Sequence, residues 1–174
     1  MAGVGDEGGR PILEAARPAT DCEGGSPVHR DRRGAEPVKT FFDSSAFAKR
    51  YVEEPGSQAV DSLCQEATEL AVSVLCVPEI ISALNRRVRE GRLTDREYAG
   101  VKRQLVQDIR DAVIVNLAPP VVSTCTKILE ASPVRAADAL QIACALQWRT
   151  ERFVSADKRQ ILAAKQAGLR TKLA

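Results

Sequence analysis

A chain of 174 residues, 44% hydrophobic and 28% charged, is long enough for one cored domain, and its formal net charge of +2 is too small to mark a polyanion-binding protein by itself. No apolar run approaches the roughly 18 residues of a membrane span, and no apolar signal core opens the chain, so no membrane partner is expected and the cytoplasm is the default location. The single histidine, His29, argues against Ser-His-Asp or Cys-His nucleophiles and against paired-histidine acid–base chemistry, so if the chain is an enzyme, carboxylates, with or without metal, must do most of the work.

Residues 1–35 hold seven of the eleven glycines, no aromatic residue and four of the Val, Ile, Leu or Phe type. Such a segment cannot bury enough surface to offset its ordering entropy. It reads as a disordered tail, or as an over-long translation start that the intact mass of the native protein would reveal. Residues 36–174 are expected to form the single domain. Residues 38–42 read as a strand and 45–52 as a short helix closed by Pro55-Gly56. An amphipathic helix follows over 57–67, then a buried strand over 70–75. Pro78 suits a first helical position, with Ile80, Ile81, Leu84 and Val88 as one apolar stripe and Gly91 as the stop. Thr94 with Glu97 forms a capping-box signature for the next helix. A strand is expected over 112–117, a helix from Pro119-Pro120 to about 131, and another from Ser132-Pro133 to about 149. Residues 152–155 read as a strand, 158–167 as a helix stopped by Gly168, and 169–173 as a final edge strand. The cysteines, Cys22, Cys64, Cys76, Cys125 and Cys144, are odd in number and have no C-x-x-C spacing, so they suit small core residues better than a disulfide framework or a zinc site.

Strands alternating with helices imply an α/β fold whose mainly parallel sheet is covered on both faces, with ligands gathering outside the carboxyl ends of the strands. Asp43 directly follows the first strand and Asp157 follows Phe153-Val154-Ser155-Ala156 in the same manner. Each also precedes a helix, where it would serve as an N-cap. Asp138 stands in the apolar run Ala136-Ala137-Asp138-Ala139-Leu140 and needs a donor, a cation or a metal, part of which Arg135 could supply. Glu79 falls in a first helical turn, which the helix dipole favours for any acidic residue. Four carboxylates converging on one cleft would repel one another unless cations or protons intervene. Hard oxygen donors without histidine or thiolate suit Mg2+ or Mn2+ rather than zinc, and such ions can activate water and stabilise both oxygens of a phosphodiester displacement.

Four segments carry a family resemblance. Phe42-Asp43-Ser44-Ser45-Ala46 resembles the opening motif of PIN domains, and Pro78-Glu79-Ile80-Ile81-Ser82-Ala83-Leu84 their second acidic motif. Arg135-Ala136-Ala137-Asp138-Ala139-Leu140 resembles the third and Phe153-Val154-Ser155-Ala156-Asp157 the fourth. The match spans about residues 38–173, and the subgroup it resembles is the VapC-like toxins of bacterial toxin–antitoxin pairs. The resemblance implies a three-layer α/β/α PIN fold with a sheet of four to five strands. It also implies a Mg2+- or Mn2+-dependent endoribonuclease, homodimerisation, and inhibition by a small antitoxin of the VapB kind. Carried over by motif, Asp43 and Asp138 would be the principal metal ligands, Glu79 and Asp157 would complete the catalytic site directly or through water, and Ser155 would support Asp157. The tail is foreign to the family pattern. Gln141 stands where many relatives place a histidine, and neither residue is assigned a role.

Arg86, Arg87, Arg89 and Arg92, with Lys102-Arg103, Arg149, Arg152, Lys158 and Arg159, could form a cationic rim for RNA, or simply a solvated, ion-paired surface. Two tyrosines and one tryptophan are too few for a base-stacking platform, and Trp148 suits a core or dimer position. The alternatives left open are a non-toxin PIN-domain RNA-processing nuclease and a non-catalytic RNA or protein interaction module. A small-molecule phosphatase would call for a glycine-rich phosphate loop, which the body lacks.

Overall fold

Successive residues of a strand point to opposite faces of a sheet. Here adjacent pairs are apolar and buried on both sides: Phe41 with Phe42, Ala71 with Val72, Ile114 with Val115, and Phe153 with Val154. Strands of this kind need cover on both faces. The computed structural model, which describes residues 38–174 and the backbone of Arg17–Pro18, supplies it. In chain order the elements are β1 (Arg17–Pro18), β2 (Val38–Phe42), α1 (Ser44–Ala48), α2 (Ser57–Glu66), β3 (Ala67–Ser73), α3 (Cys76–Arg89) and α4 (Asp95–Arg110). They continue with β4 (Val113–Val115), α5 (Pro119–Ala131), α6 (Ala136–Gln147), β5 (Arg152–Ser155), α7 (Lys158–Gln166) and β6 (Thr171–Leu173).

The strands form one sheet in the order β1-β4-β3-β2-β5-β6, and every pairing is parallel. Phe42, Val72, Ile114 and Val154 point into a core closed by Phe47, Val60, Ile80, Leu84, Leu105 and Ile109 from α1 to α4. Phe41, Ala71, Val115 and Phe153 point into a second core closed by Val121, Ile128, Ile142 and Ile161 from α5 to α7. This is the expected three-layer α/β/α sandwich. Five strands come from the body, and Arg17–Pro18 add a two-residue sixth beside β4. The rest of residues 1–35, and with it the expectation of a disordered tail, lies outside the described residues.

Several boundaries move. α2 passes into β3 without a turn, so β3 begins at Ala67 rather than near Leu70. α3 starts at Cys76 and takes Pro78 into its first turn, where a missing N–H costs nothing. α6 starts at Ala136, three residues past Pro133, because the Asp138 carboxylate accepts the Arg135 N–H at 3.3 Å and defines the first turn there. The capping box forms as expected: Thr94 Oγ1 accepts from the Glu97 N–H at 3.3 Å and Glu97 accepts from the Thr94 N–H at 2.8 Å. Thr94→Ala should therefore cost about 1 kcal/mol, read as a lower urea midpoint at an unchanged slope. Cys76, Cys125 and Cys144 are buried free thiols and Cys64 is a half-buried one, so these four fill core space as expected; Cys22 lies outside the described residues. Trp148 packs on the second core, with Lys39 Nζ 4.8 Å from its ring. No described helix is long and apolar enough to cross a membrane.

Candidate active site

In a parallel sheet the carboxyl ends of all strands open on one side, so the chain segments leaving β2, β3 and β5 share one surface. Asp43 leaves β2 at its centre. Its backbone N–H donates to the Val154 carbonyl at 2.9 Å, and its side chain caps α1 by accepting the Ala46 N–H at 2.9 Å. The capping role is thus real, but it does not account for the burial: Asp43 is 4% exposed. Burial pushes its carboxyl from 3.8 up to about 7, opposed by the Ala46 and Ser45 hydrogen bonds and increased by the negative charge of Glu79.

The Ser45 hydroxyl donates to both Asp43 oxygens at 2.9 Å and accepts the Ala156 N–H at 3.1 Å. It thereby ties Asp43 to the turn that carries Asp157. Asp157 caps α7, accepting the Arg159 N–H at 2.7 Å, and its own N–H donates to the Ser155 hydroxyl at 3.0 Å. Ser155 is fully buried and donates to Gln160 Oε1 at 2.5 Å, while Gln160 Nε2 donates to the backbone carbonyl of Asp138 at 3.3 Å. Ser155 therefore supports the Asp157 turn and links it to the start of α6. Glu79, in the first turn of α3, accepts from the Ser44 hydroxyl and, at 2.8 Å, from Gln141 Nε2 one turn beyond Asp138.

The four carboxylates thus occupy the starts of α1, α3, α6 and α7, and three sets of hydrogen bonds hold those starts: Ser45 between Asp43 and the Ala156 N–H, Ser44 and Gln141 on Glu79, and Ser155 with Gln160 between the Asp157 N–H and the Asp138 carbonyl. Asp43 and Glu79 are close enough to feel each other's charge. The backbones of Asp138 and Asp157 are connected through Gln160 and Ser155, with no contact between the two carboxylates. Among the described residues no three acidic, histidine or cysteine side chains stand together as a ready cation cage. The donor set nevertheless fits a hard cation. Asp43 is a buried carboxylate whose hydrogen-bond partners are neutral, and Mg2+ needs only one or two carboxylates because it keeps several waters.

A family model for the PIN domain matches residues 40–166. The chain belongs to the PIN-domain family. It is 31% identical over 132 residues to Ribonuclease VapC45 and to Ribonuclease VapC49, both of Mycobacterium tuberculosis, and each alignment covers 75% of this chain and 92% of the relative. Among solved structures, Mycobacterium tuberculosis VapC20, a sarcin-ricin loop cleaving toxin, aligns with a TM-score of 0.57 at 14% identity, covering 75% of this chain and 95% of its own. FitAcB of Neisseria gonorrhoeae aligns with a TM-score of 0.57 at 15% identity, covering 76% and 95%. At such identities the structures attest the PIN fold.

Four residues of this PIN domain's site, Ser44, Ser45, Gln141 and Gln160, are not marked as site residues by the sequence motifs. Ser45 and Gln160 are ordinary polar residues whose bridging depends on which strands are neighbours. Gln141 carried a signal: a buried amide three residues after Asp138, on the same face of an Ala- and Leu-rich helix. The cationic rim is smaller than expected. Arg149 and Arg152 lie at the amino end of β5, away from the carboxylates, and Arg152 pairs with Glu66 at 2.7 Å. Arg87 pairs with Glu54 at 3.4 Å and Arg92 with Glu90 at 3.4 Å. Lys158 and Arg159, both exposed on the first turn of α7, stand beside Asp157, and Arg159 pairs with it at 3.7 Å.

Proposed function

We propose that this PIN domain is a divalent-metal-dependent endoribonuclease, the toxin of a toxin–antitoxin pair. The observation that carries the reading is Asp43, a nearly inaccessible carboxylate at the central strand end, coupled to Glu79 and lacking any cationic hydrogen-bond partner among the described residues. A carboxylate this buried takes up a proton more readily than a free one, and a cation beside it would favour its ionised form, which supports reading the site as a metal site. Asp43 and Asp138 would be the principal holders of Mg2+ or Mn2+, with Glu79, beside Asp43, and Asp157 completing the acidic set directly or through water. When bound, the ion supplies Lewis-acid stabilisation of phosphoryl charge and makes water acidic enough to attack. The chain's own residues orient and hold. Ser45 fixes the Asp43 carboxylate against the Asp157 turn, Ser155 and Gln160 fix that turn against α6, and Lys158 and Arg159 offer charge to the RNA backbone.

Substrate and partner follow from the relatives: the VapC relatives are ribonucleases, and neighbours in fold include VapBC-1 of Haemophilus influenzae and a toxin–antitoxin complex of Klebsiella pneumoniae. A cytoplasmic VapB-like antitoxin is the partner we expect. Val122 and Leu129, 51% and 40% exposed, lie two turns apart on α5 and give a homodimer an apolar strip to cover. EDTA is expected to stop RNA cleavage by the purified protein, and Mn2+ or Mg2+ in excess of chelator to restore it. Cleavage that continues unchanged in EDTA would remove the metal from the mechanism.

A further inference from the structure

Gln141 is 2% exposed in α6, where residues 139–146 are otherwise alanine, leucine, isoleucine and cysteine. Its Nε2 donates twice, to Glu79 Oε2 at 2.8 Å and to Ser44 Oγ at 2.7 Å, and the Ser44 hydroxyl donates in turn to the same Glu79 oxygen. One amide thereby joins the start of α1, next to Asp43, to the first turn of α3 and the second turn of α6. The orientation of that amide is settled by its surroundings. Flipped, it would set its carbonyl oxygen against the Glu79 carboxylate. In the orientation adopted, Gln141 Oε1 is buried with no hydrogen-bond partner among the described residues. An interior amide that leaves its own acceptor unpaired while spending both N–H groups on Ser44 and Glu79 is poorly explained by packing, because an apolar side chain of the same size would fill that space without the orphaned oxygen.

We propose that Gln141 is the positioning residue of the acidic site: its amide fixes the Glu79 carboxylate and Ser44 in the arrangement that lets Glu79 and Asp43 receive one cation. This rests on the metal-dependent reading above. Groups that orient a ligand from behind typically change metal affinity by about 10–100-fold when removed. Gln141 does not touch the reacting atoms; it acts through Glu79.

The test is Mn2+ binding to the full chain without RNA, followed by electron paramagnetic resonance of free Mn2+, beside thermal melting of each protein. Gln141→Met keeps the volume and removes the donors; it is expected to weaken Mn2+ binding about tenfold or more while melting within a few degrees of wild type. Gln141→His returns an N–H to the same place and is expected to recover a substantial part of the affinity. Equal Mn2+ binding by wild type and Gln141→Met would overturn the proposal and leave the metal-dependent reading standing. Weak binding by both variants, with early melting of both, would make Gln141 a structural residue and also overturn it. Absence of Mn2+ binding by wild type would overturn the metal-dependent reading, and the proposal with it.

Discussion

Asp43→Asn is expected to reduce RNA cleavage by about 10³-fold or more and, in the same protein without metal, to raise stability at pH 8. Both effects come from one carboxylate. Asparagine is a good N-cap and can accept the Ala46 N–H and the Ser45 hydroxyl as Asp43 does, so α1 keeps its start. What is lost is the charge that would hold a cation. The stability change follows from proton linkage. Burial raises the Asp43 carboxyl from 3.8 to about 7, so the native state holds this proton more tightly than the unfolded chain does. Its stabilising contribution is complete below about pH 4 and is lost as pH rises towards 7 and beyond, a loss of at most about 4 kcal/mol. Asparagine never ionises and escapes that loss. Urea unfolding in EDTA at pH 5 and pH 8 should show the wild type weakening between the two and Asp43→Asn changing much less. Added Mg2+ should stabilise the wild type and leave the variant where it was. A fully active Asp43→Asn protein would remove Asp43 from the mechanism.

Phe153→Ala is expected to cost about 3–5 kcal/mol, a large share of the ~5–15 kcal/mol that holds a domain of this size. Phe153 is fully buried in β5, between β2 and β6, and stacks on Phe41 with ring centroids 5.9 Å apart and planes 15° from parallel. Truncation opens a cavity at the centre of the second core and removes an aromatic pair. The strand it weakens delivers Ser155 and Asp157 to the site, so thermal lability of activity should accompany the fall in urea midpoint. Leu162, 59% exposed on α7, is the control: Leu162→Ala should shift stability by no more than about 0.5 kcal/mol. A Phe153→Ala protein as stable as the Leu162→Ala control would mean that the sheet is not held together as described.

The layers were legible because each strand is apolar at consecutive positions, a pattern that only two-sided burial explains. Helix starts were legible where a side chain announces them, as Thr94 with Glu97 does. They were misplaced where the start depends on a contact back from the first turn, as when Asp138 accepts the Arg135 N–H and begins α6 later than Pro133 suggests. The junction of α2 with β3 carries no glycine or proline, so nothing local marks it. Four acidic positions could be picked out from their places after strands or in first turns, and the structure sets all four at helix starts on the carboxyl side of the sheet. The bridges among them could not be picked out. Ser45 reaches Ala156 because β2 neighbours β5, and Gln141 reaches Glu79 because α6 and α3 converge on that side of the sheet, pairings between segments 111 and 62 residues apart. The opposite ends of the strands mislead in the same way. Arg152 reads as part of an RNA rim in sequence, yet the direction of β5 carries it to the far side, against Glu66.

Cleavage of a mixed RNA pool by the pure protein with Mn2+, beside Asp138→Ala prepared identically, tests the central claim most directly. Discrete fragments from the wild type and none from the variant are the predicted result, because a carboxylate-held cation would then be cutting RNA from the carboxyl side of the sheet. Identical fragments from both proteins would contradict it.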